Sequence, residues 1–164
     1  MALAKSGQVV SNTLKSWRDK ALTRFPKGVY NAGYLIKGRC FGAVCAAWNP
    51  VGPLQKTAYL GWLATPEKYR HTDPTKAPVG AVHYYVNHDF KGDGHATVQT
   101  DVLYHEWSTD TPNPGRIGIQ AHSYFTAPYG WNMHYLGWTN WLAGSVLPIK
   151  ALPTIKPSGP DPKK

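Results

Sequence analysis

The spacing of apolar residues changes period at Pro66, and that break restricts the chain to few architectures. Upstream, residues 7–25 carry Val10, Leu14, Trp17, Ala21 and Leu22 at three- and four-residue steps, which predicts an amphipathic helix ended by Pro26. The run CFGAVCAAW at 40–48 reads as a second helix closed by Asn49-Pro50, and residues 54–63 as a third, shorter one. Downstream, PVGAVHYYV, HATVQ, DVLYHEW and GRIGIQAHSYF are short runs rich in β-branched and aromatic residues, separated by turn signals such as KGDG and TPNPG. Helices first and strands after predict an α+β domain, with N-terminal helices packed on a small antiparallel sheet.

A chain of 164 residues is long enough to bury one core without staples. Residues 1–148 read as a single domain, and 149–164, rich in Pro and Lys, as an extended tail. The tetrapeptide Tyr-Leu-Gly-Trp occurs at 59–62 and again at 135–138, but the flanking residues differ and no repeat is inferred.

The net charge of +9 predicts attraction to anionic polymers, a class that includes nucleic acid, anionic membranes and bacterial cell wall. Basic residues are scattered, with no cluster interleaved with aromatics and no zinc-finger spacing, so specific nucleic-acid binding is not expected. No stretch approaches the ~18 apolar residues of a membrane span. The opening MALAKSGQVVSNTLKSW lacks the apolar run of a secretory signal, which predicts synthesis in a cytoplasm without a signal peptide.

The two cysteines, Cys40 and Cys45, lie five positions apart. On a helix that separation puts the Cα atoms roughly 8 to 9 Å apart with diverging side chains, beyond the ~7 Å reach of a disulfide. Cys45 shares a stripe with Phe41 and Trp48 and reads as a small buried hydrophobe. Cys40 falls in the first turn, where unpaired amides and the helix dipole favour a thiolate, beside Arg39 and with little bulk at Gly42. Cys40 is therefore the candidate nucleophile.

A nucleophilic thiol needs an imidazole within reach and a polar group to orient that imidazole. Of seven histidines, His95 stands at the first residue of a strand after a glycine-flanked turn, the position from which a side chain projects toward a helix end. His83 and His105 read as sheet-face residues, and His71, His88, His122 and His134 lie near loops with no evident partner. For the orienting group, Asp110 is the first choice, as the stronger acceptor, and Ser108 the second.

A cysteine at a helix start, a histidine at a strand start and a polar residue on the next strand, in that order, resemble papain-like cysteine peptidases of the NlpC and CHAP type. These enzymes cut bacterial peptidoglycan. CFGAV is similar to the family's helix opening at the nucleophile, APVGAVHYY to its Pro-x-Gly-Ala strand, and GHATV to the strand carrying the base. STD followed by GRIGI, then YLGW and LAG, are similar to elements of lysins from bacteriophages of Gram-positive hosts, so the resemblance runs from about Lys37 to Leu147. It departs from the pattern at Arg39, where many relatives carry an acidic residue, and at QTDV, which replaces a Gly-Asp-Gly hairpin.

The resemblance implies the papain-like NlpC/CHAP fold and a cysteine peptidase or amidase acting on peptidoglycan. It implies catalysis by Cys40, His95 and Asp110 or Ser108, and no cofactor or metal. It also implies action at the bacterial wall, either by a free lysin or from a virion. The alternative is a virion structural or attachment protein that keeps the fold without activity and has other virion proteins as partners. A metal-dependent hydrolase is poorly supported, because YHEW lacks a second histidine at helical spacing.

Overall fold

The computed structural model describes residues 40–48, 50, 52–111 and 117–155. The helix expected at 7–25, Arg39 and the end of the tail lie outside the described residues. The described chain is α+β, with a six-stranded antiparallel sheet and few helices. Among the described residues, no helix is long and apolar enough to cross a membrane.

Helix α1 (Cys40–Trp48) is buried nearly all round, as expected of a helix with no charged residue. Trp48 is fully buried and its indole N–H donates to the Gly80 carbonyl at 3.0 Å, tying the helix to the start of the sheet. Helix α2 (Ala58–Ala64) begins four residues later than its pattern suggests, where the Thr57 hydroxyl accepts from the Leu60 amide at 3.1 Å. It turns Ala58, Gly61 and Trp62 inward. A Cβ on Gly61 would stand 2.5 Å from the Phe41 ring, so this glycine sets how closely α2 approaches α1.

The strands are β1 (Arg70–His71), β2 (Val82–Val86), β3 (His95–Gln99), β4 (His105–Thr109), β5 (Ile117–Ala121) and β6 (His134–Thr139). Their order across the sheet is β1-β6-β2-β3-β4-β5, and a separate hairpin joins β7 (Trp141–Leu142) to β8 (Ser145–Val146). Register divides the residues between two faces. Val82 pairs with Val98, Tyr84 with Ala96, and Val98 with Trp107; this set packs against Cys40, Phe41, Val44 and Trp48 as the main core. His83 pairs with Thr97, Tyr85 with His95, and Gln99 with Glu106, so a polar set faces the other way. That second face is covered by the short helix α3 (His122–Thr126), whose Phe125 is fully buried.

Three local expectations change. The run GRIGIQAHSYF is strand only to Ala121 and then turns into α3, because burial of Phe125 against Tyr85, His95 and Trp131 outweighs strand propensity. The strand in DVLYHEW starts only at His105, after a turn in which Tyr104 adopts a φ of 62°. Tyr-Leu-Gly-Trp is helical at 59–62 and extended at 135–138, so packing decides its conformation. Residues 149–155 belong to no helix or named strand, and the backbone of Thr154 is bonded to that of Asp101 and Leu103.

Candidate active site

Cys40 is the first residue of α1, buried to 8% exposure, and both cysteines are free thiols. Its thiol is pushed up to about 11 by burial, against hydrogen bonds from the backbone of Ala96 and Phe41, and the charge of Asp110 pushes in the same direction as burial. At neutral pH it is a protonated thiol. The residue lines a cleft of about 550 Å³ whose other walls include Gly42, Lys56, Thr57, Asp93 and Gly94. The Tyr59 amide donates to the carbonyl of Asp93, one of the lining residues, at 2.9 Å.

His95 opens β3, following Gly94 at φ 72°, where a Cβ would meet the Tyr85 carbonyl at 2.7 Å. Its Nε2 lies 2.7 Å from Ser108 Oγ, and the Ser108 hydroxyl donates its single proton to the Thr109 carbonyl at 2.8 Å. Ser108 is therefore the acceptor, Nε2 carries the imidazole proton, and the Nδ1 lone pair is the basic one. Burial lowers the ring to about 3, with the Glu106 charge opposing, so it is neutral. Trp131 meets it edge-on at 4.6 Å and Phe125 lies at 5.4 Å.

The structure brings the four residues read from the sequence to one end of β3 and β4 but divides them between sides. Cys40 packs with Ala96 on the helical face, whereas strand alternation turns the His95 ring toward Phe125 and Trp131. Ser108, the second choice as orienting group, holds His95. Asp110 follows β4 with a φ of 60°, where alternation no longer applies, and its charge acts on the Cys40 thiol.

Sequence reasoning missed a buried polar network on the His95 face. Glu106, fully buried, accepts from Tyr85 at 2.6 Å and from Thr97 on Oε1, while His122 Nδ1 lies 2.8 Å from Oε2. Burial works against the carboxylate, but His83 and His122 and the Thr97 hydroxyl hold it at about 2. His83 has Nε2 at 2.8 Å from Gln99 Oε1 and Nδ1 at 2.8 Å from the Tyr135 hydroxyl. His122, read as lacking a partner, is thus bonded to both Glu106 and Tyr85. The ligand atoms of His83, Glu106 and His122 all lie within 4.8 Å of one another, a set able to hold a metal ion. The alternating polar positions His83 and Tyr85, Thr97 and Gln99, and Glu106 and Ser108 were the available signal.

Of the remaining histidines, His71 stacks on Trp138 at 4.0 Å, and the rings of His88 and His134 lie 6.1 Å apart. No family model, curated protein or solved structure matches this chain.

Proposed function

We propose that the chain is a cysteine peptidase or amidase that cleaves an amide bond of bacterial cell-wall peptide, with the papain-like fold of the phage lysins its motifs resemble. The observation that carries this reading is local. The helix-opening Cys40 packs in one core cluster with Ala96, whose neighbour in sequence is a histidine whose partner fixes the basic lone pair on Nδ1.

In the proposed reaction the wall peptide lies in the cleft beside Cys40. Cys40 Sγ attacks the amide carbonyl as His95 Nδ1 takes the thiol proton, and the amides of the first turn of α1 stabilise the oxyanion. His95 gives that proton to the leaving amine, breaking the C–N bond, and then activates the water that releases the acyl group. Ser108 accepts from Nε2–H throughout. The charge of +9 supports association with an anionic wall.

A second reading, a virion attachment protein without activity, is favoured by one observation. Cys40 and His95 are each more than nine-tenths buried, and burial shifts both toward their neutral forms. Dye-labelled cell walls from a Gram-positive host separate the two readings. The peptidase reading expects release of dye and new free amines by the wild type and none by a folded Cys40→Ala variant. Wall binding without amine release by the wild type supports attachment instead.

A further inference from the structure

We propose that His83, Glu106 and His122 form a site for one divalent transition-metal ion of the zinc class, on the sheet face opposite α1. The inference does not depend on the peptidase reading, because none of the three residues belongs to the Cys40, His95 and Ser108 set.

The sequence places these groups by strand alternation. His83 on β2 and Glu106 on β4 flank the central β3 and point to the same face, and His122 arrives at the junction of β5 and α3. Their ligand atoms are already within 4.8 Å of one another. His83 and Glu106 are also oriented by outer partners, the arrangement that fixes metal ligands in position.

The clearest case is His83. The amide nitrogen of Gln99 donates toward the carbonyls of Thr100, Val102 and His105 at 3.1, 2.8 and 3.2 Å, so the orientation of this side chain is set. Its Oε1 therefore faces His83 Nε2, and an amide oxygen only accepts. His83 must carry its proton on Nε2 and its lone pair on Nδ1, the nitrogen turned toward the Tyr135 hydroxyl. On Glu106, Tyr85 and Thr97 both donate to Oε1, which leaves Oε2 for His122.

An incoming ion replaces the Tyr135 hydroxyl on the His83 lone pair and the proton shared by His122 Nδ1 and Glu106 Oε2, with the His122 ring proton then on Nε2. Two imidazoles and one carboxylate are the donors of three-ligand zinc sites, which keep a fourth position for water. Calcium and magnesium prefer six or more oxygens and fit this set poorly. Entry is from the His122 side, where the side chain is 15% exposed while Glu106 is 0% exposed. The ion would tie β2 and β4 to the start of α3, whose Phe125 packs with Trp131 over His95.

The test uses the full chain stripped with a chelator and titrated with Zn²⁺ against a chromophoric competitor, and separately with Co²⁺ followed by visible absorption. The expected result is one equivalent bound, a tetrahedral Co²⁺ spectrum without thiolate charge-transfer bands, and a thermal midpoint that rises with excess Zn²⁺. Cys40→Ser should bind as the wild type does, whereas His122→Gln should weaken binding by about 100-fold or more. His122 is the most exposed of the three, so its variant tests the site even if Glu106→Gln fails to fold; circular dichroism checks each. Folded wild type that takes up neither ion, His122→Gln with unchanged affinity, or binding lost in Cys40→Ser would each overturn the proposal.

Discussion

Ser108 Oγ stands 2.7 Å from His95 Nε2 and gives its own proton to the Thr109 carbonyl, so this buried serine fixes the tautomer of the imidazole. Ser108→Ala leaves the Nε2–H without its acceptor and should cost about 1–3 kcal/mol of stability. The ring should then populate both tautomers, a change read directly by imidazole nitrogen chemical shifts. A variant ring that stays wholly in the wild-type tautomer would show that Ser108 does not set it.

Asp110 acts on the thiol of Cys40. Its charge is one of the influences that raise the Cys40 thiol to about 11, behind burial. Asp110→Asn removes that charge and should lower the thiol's titration point. The rate of alkylation by iodoacetamide, followed against pH, should rise at lower pH in the variant. An unchanged or upward-shifted profile contradicts the assignment.

Stability should fall as the solution is acidified from neutrality, and the responsible groups are the buried imidazoles. His95 is lowered to about 3, first by burial, and His83 is lowered for the same reason. Between the ordinary histidine value near 6.5 and the depressed folded value, the unfolded chain binds a proton that the folded chain does not. The contribution of each ring is therefore complete above ~6.5 and is lost below it, and for His95 the decline is about 1.4 kcal/mol per pH unit. Glu106, held at about 2, adds to the loss only below the ordinary carboxylate range. Urea midpoints measured from pH 7 to pH 5 should drop for the wild type and drop less for His95→Gln; parallel curves for the two proteins would exclude His95 as a source of the slope.

Much of this arrangement is legible in the residues, for identifiable reasons. HATVQ reads as a strand and is one over His95–Gln99, since a turn precedes it and every residue suits a buried sheet. Cys40 at the head of α1 and Ser108 on β4 follow from helix and strand periodicity alone. What local pattern does not carry is which strands become neighbours. β6, remote in sequence, inserts between β1 and β2, and its Tyr135 meets His83 across 52 positions. The partnership of His122 with Glu106 is hidden for the same reason, because α3 is a single turn held by Phe125 rather than by its own propensity. The side of β3 that His95 faces depends on the register with Tyr85, and a shift of one residue would exchange it with Ala96.

Gly61 is where α2 rests on α1. A Cβ there would lie 2.5 and 2.6 Å from two carbons of the Phe41 ring, and Phe41 is 3% exposed within the core. Helix propensity alone favours alanine by about 1 kcal/mol. Overpacking opposes it by ~1–3 kcal/mol, and a ring held in the core cannot move aside at little cost. Gly61→Ala should therefore lower the thermal midpoint, and a raised midpoint would mean that α2 can retreat from α1 freely.

Trp131 covers the His95 ring edge-on at 4.6 Å and also meets Phe125 at 5.2 Å and Tyr124 at 5.9 Å. Since burial is the main cause of the low imidazole value, removing this cover is the direct way to restore basicity to His95. Trp131→Ala opens the ring to water from the side away from Cys40, leaving the Ser108 contact in place. Loss of a partly exposed indole should cost less than the ~3–5 kcal/mol of a fully buried one. The His95 titration, followed through its Cε1 proton resonance, should move up from about 3 toward the ordinary histidine range. If the neutral, buried pair is what restrains the chemistry proposed for Cys40, alkylation of the thiol should also accelerate near neutral pH, where a basic imidazole can take its proton. A raised His95 value with no change in thiol reactivity would separate the two residues functionally and favour the attachment reading; an unmoved His95 value would refute the role given to Trp131.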